Sequence, residues 1–171
     1  MLDLPFDDPI LLGLHTYWSS KRDGQSLPTR ADIDPADIPR LLPHIMLLEM
    51  RGQDQRFFVR LVGTKVAFGQ DPTGTFMEES APVGSYGSHI IALFRKAAET
   101  PHALYAEHEY GHPDQGASRV AKRLFMPLVN EAGTISMLLI GQRIIAPEFV
   151  QRSLWQLNPD QIQEVRMCEI P

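Results

Sequence analysis

The sequence predicts an α+β fold in one domain, ordered as helix, two strands, short helices, a longer helix and three strands. Three observations carry this reading. An apolar stripe near the N-terminus has helical spacing, five apolar runs have the length of strands, and glycine and proline concentrate between them. A chain of 171 residues is long enough for one real core and short for two.

The first helix starts at Asp8-Pro9, an N-cap followed by a proline whose missing N–H costs nothing there. Ile10, Leu14, Tyr17 and Trp18 fall at i, i+4, i+7 and i+8, one stripe. Lys21 and Arg22 suit the negative C-terminal end, and Gly24 can supply a left-handed cap.

The segment SLPTRADIDPADIPRLLP (26–43) follows, carrying Pro28, Pro35, Pro39 and Pro43 with Asp32, Asp34 and Asp37. It reads as a connector. Asp34 or Asp37 can cap a short helix, Pro35 or Pro39 fits its first turn, and Pro43 ends it. Arg30 is placed to pair with a nearby aspartate. A calcium loop would need a glycine for its sharp turn and a closing bidentate glutamate, and neither is present.

IMLLEM (45–50) and RFFVRLVG (56–63) read as an antiparallel pair around the turn RGQDQ (51–55). Phe57, Val59 and Leu61 face one side of it, and Arg56, Phe58 and Arg60 the other. The glycine-rich stretch 63–87 allows only short helical turns and loops. A longer helix runs roughly from Tyr86 to Glu99, burying Ile90, Phe94, Ala97 and Ala98, and Thr100-Pro101 ends it. HALYAEHEYG (102–111), SRVAKRLFMPLV (118–129) and TISMLLIGQRII (134–145) are the last strands. The final one is almost wholly apolar, which predicts a central strand buried on both faces. The tail reads as a short helix through Phe149, Leu154 and Trp155 and then a polar end.

Charge and composition narrow the function. Twenty-one acidic against 16 basic residues give a net charge of −5, without the electrostatic footprint of a nucleic-acid binder. The tightest basic group, Arg119, Lys122 and Arg123, sits inside a strand. No apolar run approaches a membrane span, and the N-terminus lacks the basic start of a secretory signal. Cys168, the single cysteine, can form neither an internal disulfide nor a cysteine metal site. A cytoplasmic protein is expected.

The only crowd of metal-ligand types is His102, His108 and His112 with Glu107, Glu109 and Asp114. His102 and His108 share a strand face but stand about 20 Å apart, so they cannot share a metal. His108 and His112 find no third ligand, and no metal is expected. GSYGSH (84–89) opens the long helix and reads as an entry turn, from which His89 can face inward. No nucleophile elbow, phosphate loop or dinucleotide fingerprint is present, so no catalytic residue is assigned and a non-enzyme is expected.

The order of elements resembles the PAS fold, and GTKVAFGQDPTGT (63–75) is similar to the stretch after the second strand of PAS domains. More specifically, Tyr17-Trp18, LPTRADIDPADIPRLLPHIMLLE (27–49) and VGT (62–64) resemble a bacterial family of single-domain PAS-like proteins, formerly a domain of unknown function. The matching positions are Trp18, Arg30, Asp32, Asp34, Pro35, Gly63, Thr64, Gly69 and Gly74. The resemblance implies a five-stranded antiparallel sheet with helices over one face and a preceding amphipathic helix. One domain would then fill residues 1–171: the first helix at about 8–23, the core at about 44–145 and the tail at 146–171.

It further implies a sensory or regulatory domain that binds a small molecule between sheet and helices, with Phe58, Arg60, His89, Phe94 and Met126 as pocket candidates. It implies a homodimer through the first helix, with Leu14, Tyr17 and Trp18 at the interface. Without an output domain of its own, the chain would act through a separate signalling protein. The alternative is a ligand-free dimerisation or interaction adaptor, with a small enzyme as a third reading. The resemblance names no cofactor. The flavin-adduct subgroup needs a cysteine on a helix beside the ring, whereas Cys168 is in the tail. A haem ligand would fall on His89, whose surroundings do not match that subgroup.

Overall fold

The computed structural model describes residues 4–24, 26–67, 71–111, 119–146, 154 and 159–171. Helix α1 (Pro9–Ser20) begins at Asp8, whose carboxylate accepts from the Ile10 and Leu11 amides at 2.9 and 3.3 Å. The other Asp8 oxygen accepts from Arg143 Nε at 2.9 Å, so one residue caps the helix and fastens it to the sheet. The helix ends at Ser20 with Lys21 as its cap, ahead of the expected Gly24.

The buried stripe is Leu11, Leu14, His15 and Trp18; Ile10 and Tyr17 are only partly covered. The reason lies across the interface at Gly141. A Cβ there would come within 2.5 Å of Leu14 and 3.1 Å of Leu11, so the missing side chain is the seat of these two leucines.

The connector folds into three single 3-10 turns, Arg30–Asp32, Pro35–Asp37 and Leu42–His44. Asp34 caps the second by accepting from the Ala36 amide, with Pro35 in its first turn. Pro43 lies inside the third turn rather than ending a helix. Arg30 pairs with no aspartate among the described residues; its Nη1 donates to the Ile33 carbonyl at 2.8 Å. Asp32 is occupied instead by the Thr29 amide and hydroxyl, both at 2.8 Å.

Strands β1 (Ile45–Arg51) and β2 (Arg56–Val62) form the expected antiparallel hairpin. Short helices α2 (Thr64–Ala67) and α3 (Met77–Ser80) precede α4 (Ser85–Ala98). Then come β3 (Ala103–Gly111), β4 (Arg119–Val129), β5 (Ile135–Ile145) and β6 (Gln161–Ile170).

Among the described residues the sheet has six antiparallel strands in the order β2-β1-β5-β4-β3-β6, one more than expected. The tail supplies the extra strand by pairing along β3, from Ala103 opposite Ile170 to Gly111 opposite Gln161. Its side chains are mostly exposed, so the apolar alternation that announces a half-buried strand is missing. The open edge of β3 selects its conformation. Of the expected tail helix, Leu154 is buried, while Phe149 and Trp155 lie outside the described residues.

Helices cover both faces of the sheet. Alternate residues of β4 and β5 feed two cores: Phe125, Leu138 and Ile140 meet α4, while Leu124, Met126 and Leu139 meet α1. A sheet apolar on both faces requires cover on both.

Candidate functional site

A pocket of about 50 Å³ lies between the α4 face of the sheet and the three helices that follow β2. Met46, Ile140 and Ile144 supply its floor, and Met77, Ile90 and Phe94 its roof. Leu154 closes part of it from the tail.

One charged group stands in this apolar wall. On β4, Ala121, Arg123 and Phe125 face α4, because side chains alternate along a strand. The register sets Arg123 between Ala106 of β3 and Gln142 of β5. Arg123 is only 1% exposed. Its Nε donates to Gln142 Oε1 at 2.7 Å, its Nη1 to the Tyr110 hydroxyl at 2.7 Å, and its Nη2 to the Tyr86 hydroxyl at 3.1 Å. No carboxylate among the described residues pairs with it. Burial opposes the cation, but the Tyr110 and Tyr86 oxygens outweigh it, so the guanidinium stays charged with its pKa raised. Burial pushes the Tyr86 phenol up to about 12, which keeps it neutral.

A polar chain leads away from Arg123. His89 Nε2 lies 2.9 Å from the Tyr110 hydroxyl, and the His108 ring stands edge-on to His89 at 4.5 Å. Burial, helped by the nearby His108 and Arg123, pushes His89 down to about 4. Burial also lowers the His108 pKa; Arg123 adds to this and Glu164 opposes it. The Tyr110 hydroxyl accepts from Arg123, and it donates to His89 Nε2 in the tautomer that carries its proton on Nδ1. Arg119, opposite Tyr110 in the register, is also buried, and its Nε and Nη2 have no partner among the described residues.

A family profile described as a PAS domain matches residues 7–141. The chain belongs to the PAS domain family. One solved structure it resembles, a variant of Vivid, has a TM-score of 0.37 at 16% identity, over 85% of this chain and 99% of that one. Likeness at that level supports no argument about function. Among curated proteins there is no match.

In this PAS domain, Phe94 is the one pocket candidate that lines the cavity. His89 stands behind it on the Tyr110 hydroxyl. Met126 is fully buried in the core against α1, on the other side of the sheet, because its parity is opposite to that of Arg123 and Phe125. Phe58 and Arg60 point away from the pocket: the Arg51 guanidinium covers the Phe58 ring at 3.6 Å, and Arg60 reaches Glu49 at 3.4 Å. Arg123, Tyr86 and Gln142 were not among the candidates. The signal for Arg123 was present, since a cation shares parity with Ala121 and Phe125 in a strand.

The expected dimer residues are used within one chain. Leu14 and Trp18 are fully buried, and Trp18 Nε1 donates to the Pro127 carbonyl at 3.0 Å. Tyr17 holds the connector: its hydroxyl accepts from the Asp34 amide at 2.8 Å and donates to the Asp34 carbonyl at 3.1 Å. Lys21 adds an ion pair with Asp37 at 2.8 Å.

The motif positions have structural work. A Cβ on Gly63 would press into the Leu42 carbonyl oxygen, Thr64 starts α2, and Gly74 sits at φ +86°. Gly69 lies outside the described residues. Of the metal-type residues, His112 and Asp114 also lie outside them, and His108 faces α4 while Glu107 bonds Tyr105. No helix among the described residues is long and apolar enough to cross a membrane.

Proposed function

We propose that this PAS domain is a regulatory sensor that binds a small molecule in the pocket between sheet and helices. The observation that supports this is the position of Arg123. It forms part of the pocket wall and also bonds groups on β3, β5 and α4, so one side chain joins the cavity to three elements. A ligand shifts a domain only by binding one arrangement better than another. A ligand that competes with Tyr86 for the guanidinium changes the tie that holds α4 to the sheet. The altered α4 surface then passes the signal to another chain in the cytoplasm, a second copy or a separate signalling protein. The role assigned is binding, without a reaction.

Native mass spectrometry of the gently purified chain tests this. The expected result is a mass excess that is lost on denaturation and belongs to a small organic molecule. The reading falls if no excess is found and no compound in a metabolite panel raises the melting temperature. A dimer in that state would favour the ligand-free adaptor.

A further inference from the structure

We infer that the pocket takes a small organic acid, its carboxylate held by Arg123 and its apolar body by the surrounding wall. This rests on reading the pocket as a ligand site. A guanidinium carries five N–H donors in a rigid fork. Three of those on Arg123 go to Gln142, Tyr110 and Tyr86, which leaves two without a partner among the described residues, at a residue 1% exposed. Buried charges are expensive unless they are paired. The three partners here are an amide and two phenols, and none supplies the missing negative charge.

The phenol of Tyr86 does not become the counter-ion, because burial holds its pKa at about 12. His89 and His108 bring no negative charge either. Arg119, four positions along the same strand face, does not line the pocket and brings no negative charge. An anion entering from the pocket would complete this arrangement.

The remaining donors favour a carboxylate over a phosphate. Two N–H groups on one guanidinium match one two-oxygen fork, whereas a phosphate dianion requires more donors than this wall presents. The rest of the lining is apolar, with Met46, Ile90, Phe94, Ile140 and Ile144. A cavity of about 50 Å³, well below the roughly 150 Å³ of one that holds benzene, restricts the body to two or three carbons.

The test compares acetate, propanoate and butanoate with their primary amides, by calorimetry and thermal shift on the unmodified chain. The acids are expected to bind about ten-fold or more tightly than the amides, as loss of a charge-assisted bond requires. Arg123→Met should abolish the difference; if that variant does not fold, the acid–amide comparison on the native chain decides. Methyl NMR should place the shifts at Ile90, Ile140 and Ile144. Equal binding of acids and amides at those methyls overturns the anion assignment while the pocket remains a ligand site. Acid-induced shifts confined to the exposed Val165 overturn it as well. If neither series binds, the anion assignment falls, and the sensing reading falls with it only when native mass spectrometry also finds no bound molecule.

Discussion

Arg123 on β4 donates to the Tyr110 hydroxyl on β3 at 2.7 Å, and both side chains are almost fully buried beneath α4. Nothing about the sheet requires a cation here, since Ala121 and Phe125 on either side fill the same face with apolar atoms. Desolvating a guanidinium costs several kcal/mol, and the groups that offset it here are two phenols and an amide rather than a carboxylate.

Replacing the cluster as a unit, Arg123→Met with Tyr86→Phe and Tyr110→Phe, should therefore leave stability unchanged or raise it by about 1–4 kcal/mol, because no buried hydroxyl is left without its donor. Urea denaturation measures this directly. A loss of several kcal/mol would make Arg123 a structural residue and remove the reason to read it as a ligand group.

Stability should also depend on pH through the histidine pair. His89 in the folded chain titrates near 4, below its ordinary value, so the unfolded chain binds more protons between about pH 6.5 and pH 4. Folding is therefore undisturbed above the upper limit and weakens as pH falls through that window. His108 is shifted in the same direction. The contribution of His89 is on the order of 1–3 kcal/mol, reduced because its ring is only half-buried. His89→Gln should flatten the decline in urea midpoint between neutral and acidic pH; an unchanged slope would mean that His89 is not the group responsible.

Trp18→Ala should cost about 3–5 kcal/mol and Trp18→Phe about 1–3, the latter chiefly for the unpaired Pro127 carbonyl. The indole is spent inside one chain, so the loss should appear as a lower denaturation midpoint that does not vary with protein concentration. A concentration-dependent midpoint would return Trp18 to an interface.

Two glycines of the family motif should respond differently. Gly63→Ala should cost about 3 kcal/mol or more, because the new Cβ meets the fixed Leu42 and Pro43 carbonyls. Gly74→Ala should cost about 1–2 kcal/mol, since only its φ of +86° is unfavourable and nothing lies within 4 Å. Equal losses in thermal melts would contradict this distinction.

Much of the fold was legible because local rules and tertiary structure agree. Asp8-Pro9 starts a helix wherever it occurs, and the period-two pattern of residues 45–62 has one pairing that buries Phe57 and Val59. β6 was not legible, because its exposed, weakly alternating residues become a strand only beside the free edge of β3. The site was less legible than the fold. Phe94 and His89 stand out on a helix, but Phe58 and Met126 face away from the pocket, and strand parity alone does not tell which face holds a cavity.

The sequence by itself determined the α+β class, the five core strands, the first helix with its cap, and the connector motif. Each of these depends on residues close together in the chain. Tertiary structure decided the sixth strand, the packing of α1 against Gly141, and the meeting of Arg123 with Tyr86, Tyr110 and Gln142. Those partners lie 37, 13 and 19 residues from Arg123. Strand register and helix docking bring them to one point, and from that point a basic residue in a strand pattern becomes the charged wall of a pocket.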